Sequence, residues 1–361
     1  MRHRERARAD MESAPTKRRM PIQAHVLFRA ADGYGSPGTP TPTDVGVDPV
    51  SARGGLRCPD TQKLLPLFPR GGFFLAIGGA VLYNLYYVEL CAEKELSMEK
   101  LLVFIPAYNC EKQVTRVLSQ LLDQRIAPWV GECIVVNNRS ADGTEAAVQD
   151  WMARHPDAPV RLLRNDQNYG LGGSHKVAFG YAAAHGYEHL VVLHGDDQGA
   201  IADLLPILND GTYKKYDCCL GSRFMKGSKT GGYSALRTWG NYGFNWLFSL
   251  VARKKITDLG SGLNLYAVEP LKNEYYKKFP DTLYFNDCMI LALCQMKQRV
   301  LFFPISWREE DQVSNNKLTS FGISLLKLCG KYLAGPRAFV EREWREKIIE
   351  DYSYEVVASN L

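Results

Sequence analysis

From residue 100 onward the chain switches repeatedly between two apolar periods. Short aliphatic runs at 101–105, 133–136, 160–163, 190–193 and 218–220 have almost no polar interruption, Arg161 being the exception. Runs of this kind read as strands buried on both faces of a parallel sheet. Between them, apolar residues recur at helical spacing. Val114, Val117, Leu118, Leu121 and Leu122 follow the first run, and Ala146, Ala147, Trp151 and Met152 the second. Residues 177–184 supply the next helix. Strands alternating with helices predict an α/β fold, a mostly parallel sheet with helices on both faces. Beyond residue 221 the alternation loosens into longer helices and loops, and no internal repeat is visible.

The first hundred residues follow a different pattern. Residues 1–60 are rich in Arg, Pro, Gly, Thr and Ala without a lasting apolar period, which predicts disorder. Residues 73–90, FFLAIGGAVLYNLYYVEL, are just long enough to cross a bilayer, but Asn84, Glu89 and two glycines interrupt them. A membrane anchor, a packed or peripheral helix, and a segment outside the functional unit are all compatible with that stretch. Met98 immediately precedes the first strand, so an upstream start assignment would also explain residues 1–97. The expected division is an N-terminal extension 1–97, a first half 98–221, a second half 222–333 and a helical tail 334–361.

Composition adds bounds. A chain of 361 residues with 46% apolar and 23% charged residues has room for two domains of ordinary globular character. Residues 1–20 hold seven basic against three acidic residues, +4 of the net +5, so the remainder is nearly neutral. That excludes the broad basic field of a nucleic-acid-binding protein. The nine cysteines show no CxxC spacing and read as free thiols in a reducing compartment.

The chemistry gathers at strand ends. His194-Gly195-Asp196-Asp197-Gln198 follows the fourth aliphatic run, and in an open α/β sheet ligands bind at that carboxyl edge. Adjacent carboxylates there suit a hard divalent cation, and the cation suits a diphosphate. Three more loops share the edge: Pro106-Ala107-Tyr108-Asn109-Cys110-Glu111, the stretch opening with Asn137-Asn138, and the stretch holding Asn168, Gly170, Gly172 and Gly173. Tyr108 offers a stacking face, the Asn pair offers amides to a base edge, and the glycines permit close backbone approach. Each loop taken alone is also ordinary turn chemistry. No GxGxxG follows the first strand, which argues against a dinucleotide-binding oxidoreductase.

The segments FIPAYNCE, VVNNRSADGT, NYGLGGSHKVAFGYA, LHGDDQ, LGSRF, DLGSGLNLY and WREEDQVSNNK together resemble the inverting family 2 glycosyltransferases of GT-A fold, from about residue 98 to 331. Residues 221–262 are most similar to the polyprenyl-phosphate glycosyltransferases, the relatives of dolichol-phosphate mannose synthase. The resemblance implies a nucleotide-diphosphate-sugar transferase fold dependent on a divalent metal, Mn²⁺ or Mg²⁺. Donor contacts then fall at Pro106, Ala107, Tyr108, Asn109, Glu111, Asn137, Asn138, Asn168, Gly170 and Lys176. The metal falls to Asp196, with Asp197 and His194 as further candidates, His194 standing where a carboxylate is usual. Asn137-Asn138 replaces the family's usual paired aspartates. The late acidic residue facing the acceptor falls at Asp287, and Arg223, Arg237 and Arg308 are the catalytic cations.

The resemblance further implies transfer of a sugar to a polyprenyl phosphate, from the cytoplasmic face of a membrane. A phosphate acceptor is already ionised and needs cations to hold it, whereas a glycan or lipid hydroxyl needs Asp287 as a base. A nucleotide-sugar-binding regulator without turnover is the alternative from another class. Leu318, Phe321, Ile323, Leu325, Leu326 and Leu328, with Lys317, Lys327 and Lys331, form an amphipathic helix that either lies on a membrane or packs on the sheet.

Overall fold

The computed structural model describes residues 100–231, 235–309 and 318–361. The expected extension 1–97, with its apolar stretch 73–90, lies outside the described residues, as do Lys317 and most of WREEDQVSNNK. The described strands are β1 (Leu101–Ala107), β2 (Val130–Asn137), β3 (Val160–Asn165), β4 (His189–Leu193), β5 (Cys218–Ser222), β6 (Lys229–Gly231), β7 (Leu263–Ala267), β8 (Val300–Pro304), β9 (Ser306–Arg308) and β10 (Tyr354–Ser359). The described α-helices are α1 (Glu111–Ser119), α2 (Thr144–Arg154), α3 (Gly170–Ala184), α4 (Leu205–Asn209), α5 (Ala235–Ala252), α6 (Phe285–Gln295), α7 (Leu318–Ala334) and α8 (Pro336–Glu341). All five predicted strands fall inside β1 to β5.

Eight strands form one sheet in the order β10-β3-β2-β1-β4-β7-β5-β8. β1 pairs in parallel with β2 and β4, β2 with β3, and β5 with β8. β7 is the exception at the centre, antiparallel to both β4 and β5. β6 and β9 form a small parallel pair beside the sheet. The pleat sends alternate residues of β1 to opposite layers. Leu102 and Phe104 join the core under α3, α6 and α7, while Leu101, Val103 and Ile105 join the core under α1 and α2. The mostly parallel sheet with helices on both faces is therefore as expected.

Two expectations change. β7 and β8 come from the second half yet enter the first half's sheet, so 98–221 and 222–333 share one sheet and both cores. The tail 334–361 is not helical throughout: after α8 it runs as β10 antiparallel along β3. β3 would otherwise be an edge strand with unpaired backbone groups, and β10 covers it. The amphipathic segment forms α7, with Leu325 and Leu328 buried on the sheet side and Ile323 and Leu326 left exposed. No described helix is long and apolar enough to cross a membrane. The seven described cysteines are all unbridged.

Candidate active site

Because β1, β2, β3 and β4 run in one direction, their following loops open on one edge. A cleft of about 350 Å³ lies there, lined by Pro106, Ala107 and Tyr108 after β1, Asn138 after β2, Asn168 and Gly170 after β3, and His194 and Asp196 after β4. Cys110, Leu171, Ser174, Gly195 and Leu283 complete the wall. Tyr108 is 52% exposed, leaving its ring face open to a planar ligand. Thus six of the ten expected donor-contact residues converge on the cleft, together with two of the three expected metal ligands.

Two titratable side chains, Asp196 and His194, line the cleft together. Burial pushes the Asp196 carboxyl up to about 6, against the stabilising backbone N–H of Gln198. Burial, with the Arg223 charge adding to it, holds the His194 imidazole at about 4. His194 is therefore neutral near pH 7 and keeps a lone pair. Its Nε2 is buried without a hydrogen-bond partner, a costly arrangement in the absence of a ligand. Its ring is fixed against Gly262, where a Cβ would stand 2.8 Å from His194 Cγ. Among the described residues no group of three or more His, Cys, Asp or Glu converges as a metal cage. One carboxylate and one imidazole fit a cation that completes its coordination with phosphate oxygens and water, and the imidazole favours Mn²⁺ over Mg²⁺.

Asp197 does not belong to that pair. Its φ of 58° puts the backbone in the left-handed region. Its Oδ2 accepts from Arg116 Nε at 2.7 Å, and its Oδ1 from Arg308 Nη2 at 2.9 Å and Gln120 Nε2 at 3.3 Å. Buried at 7% exposure, Asp197 ties α1 to β9. Both oxygens serve that tie, so the metal role expected of Asp197 is corrected to an anchoring one, and Arg308 is its partner.

The other cations also have carboxylate partners. Arg223 grips the buried Asp258 through Nε and Nη2, each at 2.7 Å, and lies over the rings of Phe224 and Trp307. It stays within electrostatic reach of His194 and Asp196. Arg237 donates Nη1 to both carboxylate oxygens of Glu309 at 3.0 Å. Asp287 opens α6, is 4% exposed, and is held well above the ordinary carboxylate range by burial. Asp287 and the arginines surround the second-half side of the sheet rather than lining the donor cleft.

Four donor expectations are corrected to loop-building roles. Asn137 Nδ2 donates to Glu145 at 2.8 Å and its Oδ1 accepts from Ser140 N at 2.9 Å, and at 2% exposure the amide serves the turn and not the cleft. An aspartate there would face Glu145 with like charge, which accounts physically for Asn. Asn109, at φ 49°, accepts from Ala141 N at 2.8 Å, and Glu111 accepts from Gly143 N at 3.2 Å, lacing the β1 loop to the β2 loop. Asn138 does line the cleft but is occupied as well, donating to Asn168 at 2.8 Å and accepting from Asn165 Nδ2 and Tyr169 N. The glycines serve protein packing: a Cβ at Gly170 would meet Asp281 O at 2.4 Å, and Gly172 N donates to that same oxygen at 2.8 Å. The first amides of α3 are thereby filled from within.

Lys176 is the fourth. Its side chain is fully buried, and Nζ donates to Phe279 O at 2.6 Å, Asp281 Oδ1 at 2.6 Å and Tyr352 Oη at 3.1 Å. Burial outweighs Asp281 and lowers the ammonium to about 8. Lys176 thus clamps the 279–283 loop, which carries Leu283 to the cleft. Lys176→Met is expected to destabilise the fold by about 2–4 kcal/mol, the scale of a buried hydrogen-bonded charge removed. Donor affinity should fall only as Leu283 loosens. Denaturant unfolding measures the first effect and nucleotide titration the second; an unchanged stability with lost nucleotide binding would restore Lys176 as a donor contact.

Sequence reasoning missed Arg116 and Gln120, whose partner lies some eighty residues away, and Leu283, which no local pattern marks. Ser174 was findable: it stands one helical turn beyond Gly170 and so shares its face.

The profile described as glycosyl transferase family 2 matches residues 102–274. A dolichyl-phosphate β-glucosyltransferase of Drosophila melanogaster is 25% identical over 273 residues, 69% of this chain and 80% of its own length. Another from Trichomonas vaginalis is 24% identical, covering 64% of this chain and 71% of its own length. The Methanococcus voltae UDP-N-acetylglucosamine–dolichyl-phosphate N-acetylglucosaminyltransferase is 26% identical over 47% of this chain and 70% of its own. Among solved structures, glucosyl-3-phosphoglycerate synthase of Mycobacterium tuberculosis with Mn²⁺, UDP and phosphoglyceric acid superposes at a TM-score of 0.48, with 14% identity over 67% of this chain and 81% of its own. Residues 102–274 match the family described as glycosyl transferase family 2, and the chain carries that glycosyltransferase domain.

Proposed function

We propose that the chain transfers a sugar from a nucleotide-diphosphate sugar to a polyprenyl phosphate, with inversion, using a divalent cation and working at the cytoplasmic face of a membrane. The observation that carries this reading is the cleft at the strand ends, where Tyr108 stands at one wall and Asp196 with His194 at the floor. The relatives named for dolichyl-phosphate transfer support the acceptor class.

In this reading Tyr108 stacks on the base, and Pro106 and Ala107 shape the backbone beneath it. Asn138 and Asn168, locked to each other, hold the loop that borders the donor. Asp196 and His194 would hold the cation, which when bound would neutralise charge on the departing diphosphate. Arg223, fixed by Asp258, adds positive potential at the same edge. The nucleophile approaches from the opposite face of the sugar, which inverts the anomeric centre. Arg237 would receive an acceptor phosphate in exchange for Glu309.

The test offers labelled UDP- and GDP-sugars, with Mn²⁺ or Mg²⁺, together with a short-chain polyprenyl phosphate. Label is expected in a sugar–phosphate–lipid product of inverted configuration, only when the cation is present. Donor binding without transfer to any acceptor would favour the regulator; label on a glycan alone would favour a hydroxyl acceptor.

A further inference from the structure

The C-terminal tail folds back onto the loops that wall the cleft. After α8, the backbone N–H of Trp344 donates to Lys278 O at 2.8 Å. Arg345 fixes the next stretch, pairing with Glu343 at 2.6 Å and donating Nη1 to Ile349 O at 2.7 Å. The chain then delivers Tyr352 and Ser353 just ahead of β10, whose Tyr354 stands opposite Asn165, the last residue of β3. The tail therefore meets the loop after β3 at its root.

Tyr352 reaches the other loop. It is 8% exposed, and its Oη donates to Asp281 Oδ1 at 2.8 Å, accepts from Lys176 Nζ at 3.1 Å and hydrogen-bonds Arg345. Its ring lies edge-on to that of Tyr169, with centroids 5.2 Å apart. Ser353 Oγ donates to Asp166 Oδ2 at 2.5 Å, and its carbonyl accepts from Asp166 N at 3.2 Å and Tyr169 Oη at 3.1 Å. Two consecutive tail residues thus grip both loops. One carries Leu283 into the cleft wall, and the other carries Asn168 and Gly170. Neither Tyr352 nor Ser353 lines the cleft itself, so each acts through the loops. Part-buried hydrogen bonds from a strand-anchored segment hold a loop in one arrangement, where a loop without them samples several.

We propose that Tyr352 and Ser353 are positioning residues for donor binding, holding Asn168, Gly170 and Leu283 in the arrangement that receives the nucleotide. The proposal rests on the donor reading of the cleft, and its structural half is measured apart from it. Amide hydrogen exchange is followed on the full chain, as Tyr352→Phe, Ser353→Ala and the parent. Exchange across 166–173 and 279–283 is expected to quicken in both variants and to stay unchanged in β1, β2 and β4. UDP or GDP, titrated with Mn²⁺, should bind about three- to tenfold more weakly to each variant, the scale of one hydrogen bond lost. The kcat at saturating donor should be unchanged. Coupling is reciprocal, so bound nucleotide should slow exchange at 352–359 in the parent and do so less in Tyr352→Phe. Leu208→Ala, in the buried face of α4 and remote from both loops, lowers stability without touching the tail. It should leave nucleotide affinity as in the parent. Loop exchange equal to the parent's in both variants would overturn the proposal, as would a loss of affinity in Leu208→Ala as large as theirs. A parent that binds neither nucleotide, with both loops still loosened in the variants, would sink the donor reading and leave the tail's hold on the loops standing.

Discussion

Asp196→Ala is expected to lower sugar transfer by at least about 10³-fold, roughly 4 kcal/mol of lost transition-state stabilisation, while leaving the fold intact. Asp196 is the one expected acidic metal ligand whose side chain lines the cleft. Its removal should not weaken the apo protein, because burial makes the charged carboxylate unfavourable there. The folded group titrates at about 6, above its ordinary 3.8. Its contribution to stability is thus fully present below about pH 4 and is lost as pH rises through 6. Asp196→Asn, which removes this titration, should therefore be more stable than the parent at pH 7.5 by about 1–2 kcal/mol, allowing for the solvent contact of a part-exposed group, and equal to it near pH 4. Mn²⁺ should raise the parent's melting midpoint and not the variant's. Undiminished turnover in the variant, still dependent on added cation, would show that another residue holds the metal.

Asp287 and Arg237 separate the two acceptor chemistries. Burial holds the Asp287 carboxyl well above its ordinary range and so favours its neutral form, which donates a hydrogen bond but accepts no proton. With a phosphate nucleophile, Asp287→Asn preserves a donor and should cost transfer less than tenfold. Arg237→Ala should lower kcat/KM for the acceptor by about 10- to 10²-fold, the scale of a charged hydrogen bond left unmade. Asp287→Asn should also stabilise the protein. The raised group's stabilisation is complete below its ordinary 3.8 and declines as pH climbs toward the folded value, so the gain over the parent grows with pH. With a hydroxyl nucleophile the order reverses, and loss of the base costs about 10²–10⁴-fold. Kinetics on a short-chain polyprenyl phosphate decide: near-normal Arg237→Ala beside inactive Asp287→Asn would overturn the phosphate acceptor.

The parallel half of the sheet was legible because a strand buried on both faces writes itself as an unbroken aliphatic run. The 190–193 run also announced the edge at which Asp196 would lie. β7 was hidden in the looser second half, and β10, half exposed against β3, lacks any such run. At the site, residue type and loop position brought Tyr108, Asn138, Asn168, His194 and Asp196 to one cleft. They could not reveal direction. The contacts that tie Asp197 to Arg116 and Arg308, and the contact that turns Asn137 toward Glu145, depend on partners distant in the chain or across the turn. Lys176 illustrates the same limit: the resemblance implied a donor contact there, and only the folded 279–281 segment shows the carbonyl and carboxylate that claim it.

The antiparallel insertion of β7 between β4 and β5 bears on how the polypeptide reaches this state during synthesis. When residue 222 has left the ribosome, β1 to β4 can already associate, yet β4 has no neighbour on its far side and β5 has nothing to pair with. Both wait for residues 263–267, and β5 waits further for β8 at 300–304. Through that interval the nascent chain displays the backbone edge of a strand whose side chains, HLVVL, are entirely apolar after the first. Such an edge is adhesive, and contacts so remote in sequence form slowly. Yield from recombinant expression should therefore respond to translation speed across residues 222–304 and to chaperone supply more than to changes in the finished protein's stability.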